Sequence, residues 1–348
     1  MAGTMAAGWK NQGRGRHCIM VDEVPGNHHE DGLRSYDLVT LGGVLRVCDL
    51  EMVLLDDNGP RAAIHSQVHD EALFCAIRCG FRFRGRFMLP LDWCMVGFVH
   101  DGGSRESWCH GTALQAGSVV TVLPDGITEI SLSAGSRLTL LLAPIRRLQL
   151  KFSEINLRSV TPPGQALATF IAGDDAWSRQ LATRYEHLHR CLASPDDLLR
   201  ADEVDGLLDA HVQASLGAGA ANRPICPRGR RAYYLMLQRA ENFMRANMRR
   251  DICMEEICEA AGGSERALRY AFEHLLGTSP KRYLSMLRLC AACHGLSMAD
   301  SSRRSVKAIA LSCGLWDLSR FAENYRRVFG ELPRDTLMRS PPLGATPT

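Results

Sequence analysis

A repeat with a period of about 52 residues near the C-terminus constrains this chain more than any other feature. MEEICEAAGG (254–263) aligns with VKAIALSCGL (306–315), which sets Ile257 against Ile309 and Gly262 against Gly314. Past the glycine, RALRYAFEHLLGTSP (266–280) aligns with SRFAENYRRVFGELP (319–333), so Phe272 meets Tyr325, Gly277 meets Gly330 and Pro280 meets Pro333. The second copy has one extra residue in its turn. Each copy predicts a short helix, a glycine turn, and a longer helix closed by Gly and then Pro, which are helix stop signals. That is the helix-turn-helix layout, whose second helix lies in the DNA major groove.

The faces of the second helices suit that role. In the first copy Leu268, Phe272 and Leu275 form the apolar stripe, leaving Arg266, Arg269, Tyr270 and Glu273 on the outward face. In the second, Phe321, Tyr325 and Val328 are the stripe, and Ser319, Ala322, Glu323 and Arg326 face outward. Between the copies, PKRYLSMLRLCAACHGLS (280–297) predicts one continuous helix of roughly 27 Å. That length can hold two reading helices near one DNA turn apart, about 34 Å.

Charge points to the same partner. The net charge of +3 divides into +9 over residues 223–340, from 21 Lys and Arg against 12 Asp and Glu, and −6 over the rest. A basic segment on an acidic remainder predicts a polyanion as ligand of the basic part. At 348 residues, 46% hydrophobic and 23% charged, the chain has the composition of a globular protein of more than one domain. No apolar run reaches the roughly 18 residues of a membrane helix, and no secretory start is present, so a cytoplasmic protein with no membrane partner is expected. Thirteen cysteines, an odd number, read as thiols of a reducing compartment.

The pattern along the chain predicts an α+β multidomain protein. Residues 1–38 lack periodicity and read as a flexible tail; residues 39–150 carry short strands such as FRFRGRF (81–87), SVVTVLPDG (118–126) and RLTLLLAP (137–144). Within 151–216 two helices are expected. One carries Trp177, Leu181, Tyr185, Leu188 and Leu192, the other runs over 201–216, and their apolar stripes read as a dimerisation surface. A Gly/Pro/Arg-rich linker covers 217–230. An all-α domain follows over 231–340, with helix-turn-helix units at about 253–274 and 305–329, and 341–348 form a tail.

A duplicated helix-turn-helix bridged by a long helix resembles the AraC/XylS family of bacterial transcription regulators, over about residues 231–337. The diagnostic run is IALSCGLWDLSRFAENYRRVFGELP (309–333), and its Gly-x-Trp-x-Leu-x-x-Phe-Ala spelling is similar to that of regulators of ethanolamine-utilisation operons. The resemblance implies base-reading roles for Arg266, Arg269 and Tyr270 in the first copy and for Ser319, Arg320, Ala322 and Glu323 in the second. Arginine pairs in bidentate fashion with guanine, glutamate accepts from cytosine, and alanine can touch a thymine methyl. Arg326 and Arg327 are placed to hold phosphates. The resemblance further implies a cupin-like β-barrel sensor at the N-terminal end, a small-molecule effector, a homodimer, and RNA polymerase as a further partner.

Other features carry less. Phe81, Phe83, Trp93 and Phe98 are either the walls of a hydrophobic pocket or ordinary core. His65, His69, Cys75 and Cys79 gather a metal only if adjacent strands bring them together, and the Cys290/Cys293 pair lies within a helix with no second pair. The cupin metal pattern and a Ser/His/Asp constellation are missing from the sequence. No catalytic residue, cofactor or metal is assigned, and an enzyme is not expected. The readings left open are a ligand-responsive transcription regulator, an architectural DNA-binding protein, and a barrel-type enzyme fused to a DNA-binding module.

Overall fold

The computed structural model describes residues 34–36, 50–56, 62–156, 167–193, 199–200, 202–219, 222–224, 226–299, 301 and 303–339. The 341–348 tail and most of the 1–38 stretch lie outside them. Twelve strands are described: β1 (Arg34–Tyr36), β2 (Glu51–Leu54), β3 (Ala62–His69), β4 (Ala72–Cys79), β5 (Phe83–Met88), β6 (Trp93–Asp101), β7 (Ser107–Cys109), β8 (Thr112–Leu114), β9 (Ser118–Val122), β10 (Ile127–Leu132), β11 (Arg137–Pro144) and β12 (Phe170–Ile171). β1 falls inside the stretch read as a tail, where it pairs with β3.

The strands build two antiparallel sheets. One runs β1-β3-β4-β11-β6-β9-β12 and the other β2-β5-β10-β7-β8. Alternation along each strand separates two cores. On β4, Leu73, Cys75, Ile77 and Cys79 face the space between the sheets, while Ala72, Phe74 and Ala76 face the opposite side. The same alternation answers the metal question. Register pairs His65 with Ala76 and His69 with Ala72, on the outer face, whereas Cys75 and Cys79 point inward. Adjacent strands therefore keep the two histidines and two cysteines on opposite sides of one sheet.

Three helices cover the outer face of the seven-stranded sheet: α1 (Ile145–Ile155), α2 (Ala176–Ala193) and α3 (Glu203–Gly217). α1 straddles the expected boundary at residue 150, because β11 runs directly into it. On α2, Leu181, Tyr185, Leu188 and Leu192 are fully buried in a core with Phe74, Val96 and Leu141, and Tyr185 stacks on Phe98 at 5.3 Å. The reading of that stripe as a surface for a second copy is thus corrected. The sheet of the same chain has already taken it, and of these residues only Trp177 stays exposed.

Seven further helices are described: α4 (Arg228–Ala246), α5 (Met254–Ala261), α6 (Glu265–Leu276), α7 (Pro280–Ser297), α8 (Val306–Ser312), α9 (Leu318–Phe329) and α10 (Pro333–Met338). Local chemistry sets their ends. Ser264 caps α6 by accepting from the Ala267 N–H, Ser279 caps α7, and Asp317 caps α9 by accepting from the Arg320 N–H. The repeated glycines Gly262 and Gly314 both lie in the left-handed region, at φ of 71° and 72°. At Gly314 a Cβ would also stand 2.2 Å from the Met248 carbonyl oxygen, so this turn needs glycine for both conformation and space. Cys290 and Cys293 are buried in α7, where Cys290 accepts from the Leu54 N–H of β2 at 3.5 Å.

Candidate nucleic-acid interface

The two short-helix, glycine-turn, long-helix units are α5–α6 and α8–α9, with α7 between them. Each long helix buries the stripe expected of it: Leu268, Phe272 and Leu275 in α6, and Phe321, Tyr325 and Val328 in α9. The opposite faces are open. Arg266, Arg269 and Tyr270 are exposed on α6; Ser319, Arg320 and Glu323 are exposed on α9, with Ala322 half-buried beside them. Arg326 and Arg327 are exposed in the last turn of α9.

These side chains are not all free. Arg269 donates to Glu265 one turn earlier at 2.5 Å, an exposed pair that DNA would have to displace. Tyr270 belongs to an aromatic cluster, its ring 5.0 Å from Tyr233 and 5.6 Å from His274. The sequence reading missed Tyr233 and His274. His274 follows Tyr270 by one helical turn and could have been found that way, but Tyr233 comes from α4.

The far end of α6 is held by the β-rich part of the chain. The last carbonyls of a helix have no partner within it. Here Trp108 Nε1 on β7 donates to the Leu275 carbonyl at 3.0 Å, and Arg82 Nη2 donates to that of Leu276 at 3.0 Å. The second contact sets a cation at the negative end of the helix dipole. α6 is therefore positioned by the five-stranded sheet as well as by the helices around it.

A buried charge network makes the larger junction. Arg84 of β5 is fully buried, although FRFRGRF (81–87) alternates apolar and charged residues as a half-buried strand does. Its guanidinium donates to Glu241 of α4 through Nε at 3.1 Å and Nη2 at 2.8 Å, and pairs with Glu129 of β10 at 2.7 Å. Burial alone would push Arg84 down, but Glu241 and Glu129 reverse that and hold it above its ordinary value. Burial would likewise raise Glu129; Arg84 and hydrogen bonds from Tyr234 and Gln238 bring it below the usual carboxylate range. Tyr283 of α7 donates its hydroxyl to Glu241. Tyr234, Gln238, Glu241 and Arg245 recur at helical spacing, so one polar face of α4 meets the sheet, with Arg245 reaching Glu51 at 2.5 Å.

The Helix-turn-helix domain family matches residues 257–339. Residues 257–339 are thus similar to a helix-turn-helix domain. A XylDLEGF operon transcriptional activator from Pseudomonas putida is 37% identical over 134 residues, which is 38% of this chain and 39% of that protein. A HTH-type transcriptional activator from Klebsiella pneumoniae is 35% identical over 95 residues, covering 27% of this chain and 33% of its own. The chain thus spans about two fifths or less of the length of these curated relatives. Among solved structures, the AraC-like transcriptional activator CuxR aligns over 74% of this chain and 93% of its own, at 15% identity and a TM-score of 0.40. Among the described residues, no helix is long and apolar enough to cross a membrane.

Proposed function

We propose that the chain is a cytoplasmic transcription regulator of the AraC/XylS type, binding double-stranded DNA through α6 and α9 as the reading helices of two helix-turn-helix units. The observation that carries this is the pair of capped helices, each with its apolar stripe buried and its polar face open, held by one bridging helix. In this reading Arg266, Arg269, Tyr270, Ser319, Arg320, Ala322 and Glu323 face base edges, and Arg326 and Arg327 hold phosphates. The β-rich part, about residues 39–150, is the sensor, a cupin-like double sheet joined to the DNA-binding domain (about 231–340) through the helices of 151–216 and the 217–230 connection. RNA polymerase is the expected downstream partner. A homodimer would have to use a surface other than the Leu181–Leu188 stripe.

The effector class follows from a cavity between the sheets, about 70 Å³ in volume. This is several times the ~10–15 Å³ that a single water needs. Its walls include Phe83, Phe87, Val120, Ile130, Leu138 and Leu142, and they present no polar surface. Of the four aromatic residues singled out in the sequence, Phe83 and Phe98 border it; Phe81 is core and Trp93 lies outside the lining. Such walls suit a small uncharged apolar molecule and disfavour an ammonium group, which would be buried without a partner. The likeness to ethanolamine-utilisation regulators is accordingly proposed for the DNA-reading segment only.

Selection of duplexes from a random pool by the full chain tests the DNA-binding assignment. The expected product is a motif with two conserved blocks about 10 bp apart, one per reading helix. Recovery of no motif beyond bulk DNA affinity would leave an architectural binder instead.

A further inference from the structure

The cavity and the DNA-binding domain lie on opposite faces of one sheet. On β5, Phe83 and Phe87 line the cavity while Arg84 points to α4; on β10, Thr128, Ile130 and Leu132 line it while Glu129 points to α4. On β7, Cys109 lines the cavity, and its neighbour Trp108 reaches the end of α6. Cross-strand register couples these positions directly, with Ile130 opposite Gly85, Glu129 opposite Arg86, and Ser131 opposite both Arg84 and Trp108.

We infer that occupancy of the cavity is transmitted to the reading helices through this sheet, by way of the Arg84–Glu129–Glu241 network. The inference rests on the reading of the cavity as the effector site. In a strand, any displacement that moves an inward side chain moves its outward neighbours with it. A molecule that pushes on Phe83 or Ile130 shifts β5 and β10, and with them the two charges against which α4 is fixed. The far side of the junction cannot absorb the shift by sliding. Arg84 binds Glu241 through two nitrogens, Tyr283 binds the same carboxylate, and Arg84 stacks over Trp108 at 4.8 Å. Close-packed, fully paired junctions switch between arrangements rather than deforming smoothly. α4 and α7 both contribute to the network, so a new arrangement reorients the framework that carries α6.

The test uses the full chain, toluene as an apolar single-ring probe, and the highest-affinity duplex from the selection above. Toluene binding is followed by calorimetry and duplex binding by fluorescence anisotropy. In the natural chain, saturating toluene is expected to change the duplex Kd at least about fivefold, and the duplex to change the toluene Kd by the same factor. The double variant Arg84→Met, Glu241→Met removes both sides of the contact with α4 in favour of apolar groups of similar length, and leaves Glu129 to Arg86 at 3.4 Å and to the hydrogen bonds from Tyr234 and Gln238. It is expected to bind both partners with the coupling reduced to within about twofold of none. Tyr283→Phe, which removes one hydroxyl and no packing volume, is expected to fall between and decides the matter if the double variant does not fold. Full coupling in a folded variant, or toluene binding without any change in duplex affinity, would overturn the transmission route and leave the cavity reading standing. Failure of the natural chain to bind toluene would remove the cavity reading and the route together.

Discussion

Arg269 and Arg326 are both exposed arginines, on α6 and α9, and position separates the roles proposed for them. Arg269 sits in the second turn of α6, on the outward face beside Arg266 and Tyr270, whereas Arg326 is in the last turn of α9. Arg269→Ala is expected to cost about 1–3 kcal/mol at one base position and to relax preference there. Arg326→Ala is expected to weaken all sequences alike and to make the salt dependence shallower by about one unit of slope. Binding curves of each variant on the selected motif and on single-base changes distinguish the two. A uniform loss from Arg269→Ala would reassign that residue to phosphate.

At the scale of elements, α2 and α3 are bound to the sheet by packing and by neutral histidines. Leu188 is fully buried, so Leu188→Asp puts an unpaired charge into the core and is expected to cost about 3–5 kcal/mol in stability. The measurable outcome is a large drop in melting temperature. Dissociation of a folded protein into folded monomers would instead restore the dimer role for this helix. The histidines add a pH dependence. His211 of α3 lies fully buried, with Nε2 2.7 Å from the Thr121 hydroxyl, and burial pushes it down to about 3. His100 of β6 is held at about 4, mainly by burial and then by His189, against the opposing pull of Glu186. Both values lie below the ordinary 6.5, so as pH falls the unfolded chain takes up these protons first. Stability is full above about pH 6.5 and is lost as pH drops toward 3–4. The melting temperature should therefore fall from pH 7 to pH 5, and His211→Gln should reduce that fall. An unchanged pH slope in the variant would assign the acid sensitivity to other groups.

Across the whole molecule, one hydrophobic core runs from the space between the sheets into the helical domain, joining Val53, Leu54 and Trp108 to Leu237, Leu275 and Tyr283. A fragment of residues 227–339 keeps the core of α5 to α10 but loses the sheet face that α4 and α7 cover. It is expected to fold by circular dichroism and to melt below the full chain. The charge network makes a sharper test. Glu241→Gln should destabilise the full chain by about 1.5–3 kcal/mol, because buried Arg84 loses one of its two carboxylate partners and keeps only Glu129. In the fragment, where Arg84 is absent, the same change should leave the melting temperature nearly unmoved. Equal effects in both would mean that Glu241 acts within the helical domain alone.

The sequence by itself determined the two helix units, the bridging helix at 280–297 and the open faces of α6 and α9, because their signals are local: apolar spacing of three to four residues, capping serines and aspartate, and glycines at repeated positions. The strands at 118–122 and 137–144 were legible for the same reason, from short alternating runs between turn residues. Only the tertiary structure decided where the apolar stripe of α2 goes, since a stripe states that a face is covered and not by what. Nor could local pattern place Arg84. FRFRGRF alternates as a solvated strand would, and the charges that hold its arginine inside come from Glu129, 45 residues on, and Glu241, 157 residues on. Pairing across such distances is fixed when sheet and helices close on each other, and that step is where this protein acquires the contact between its cavity wall and the end of α6.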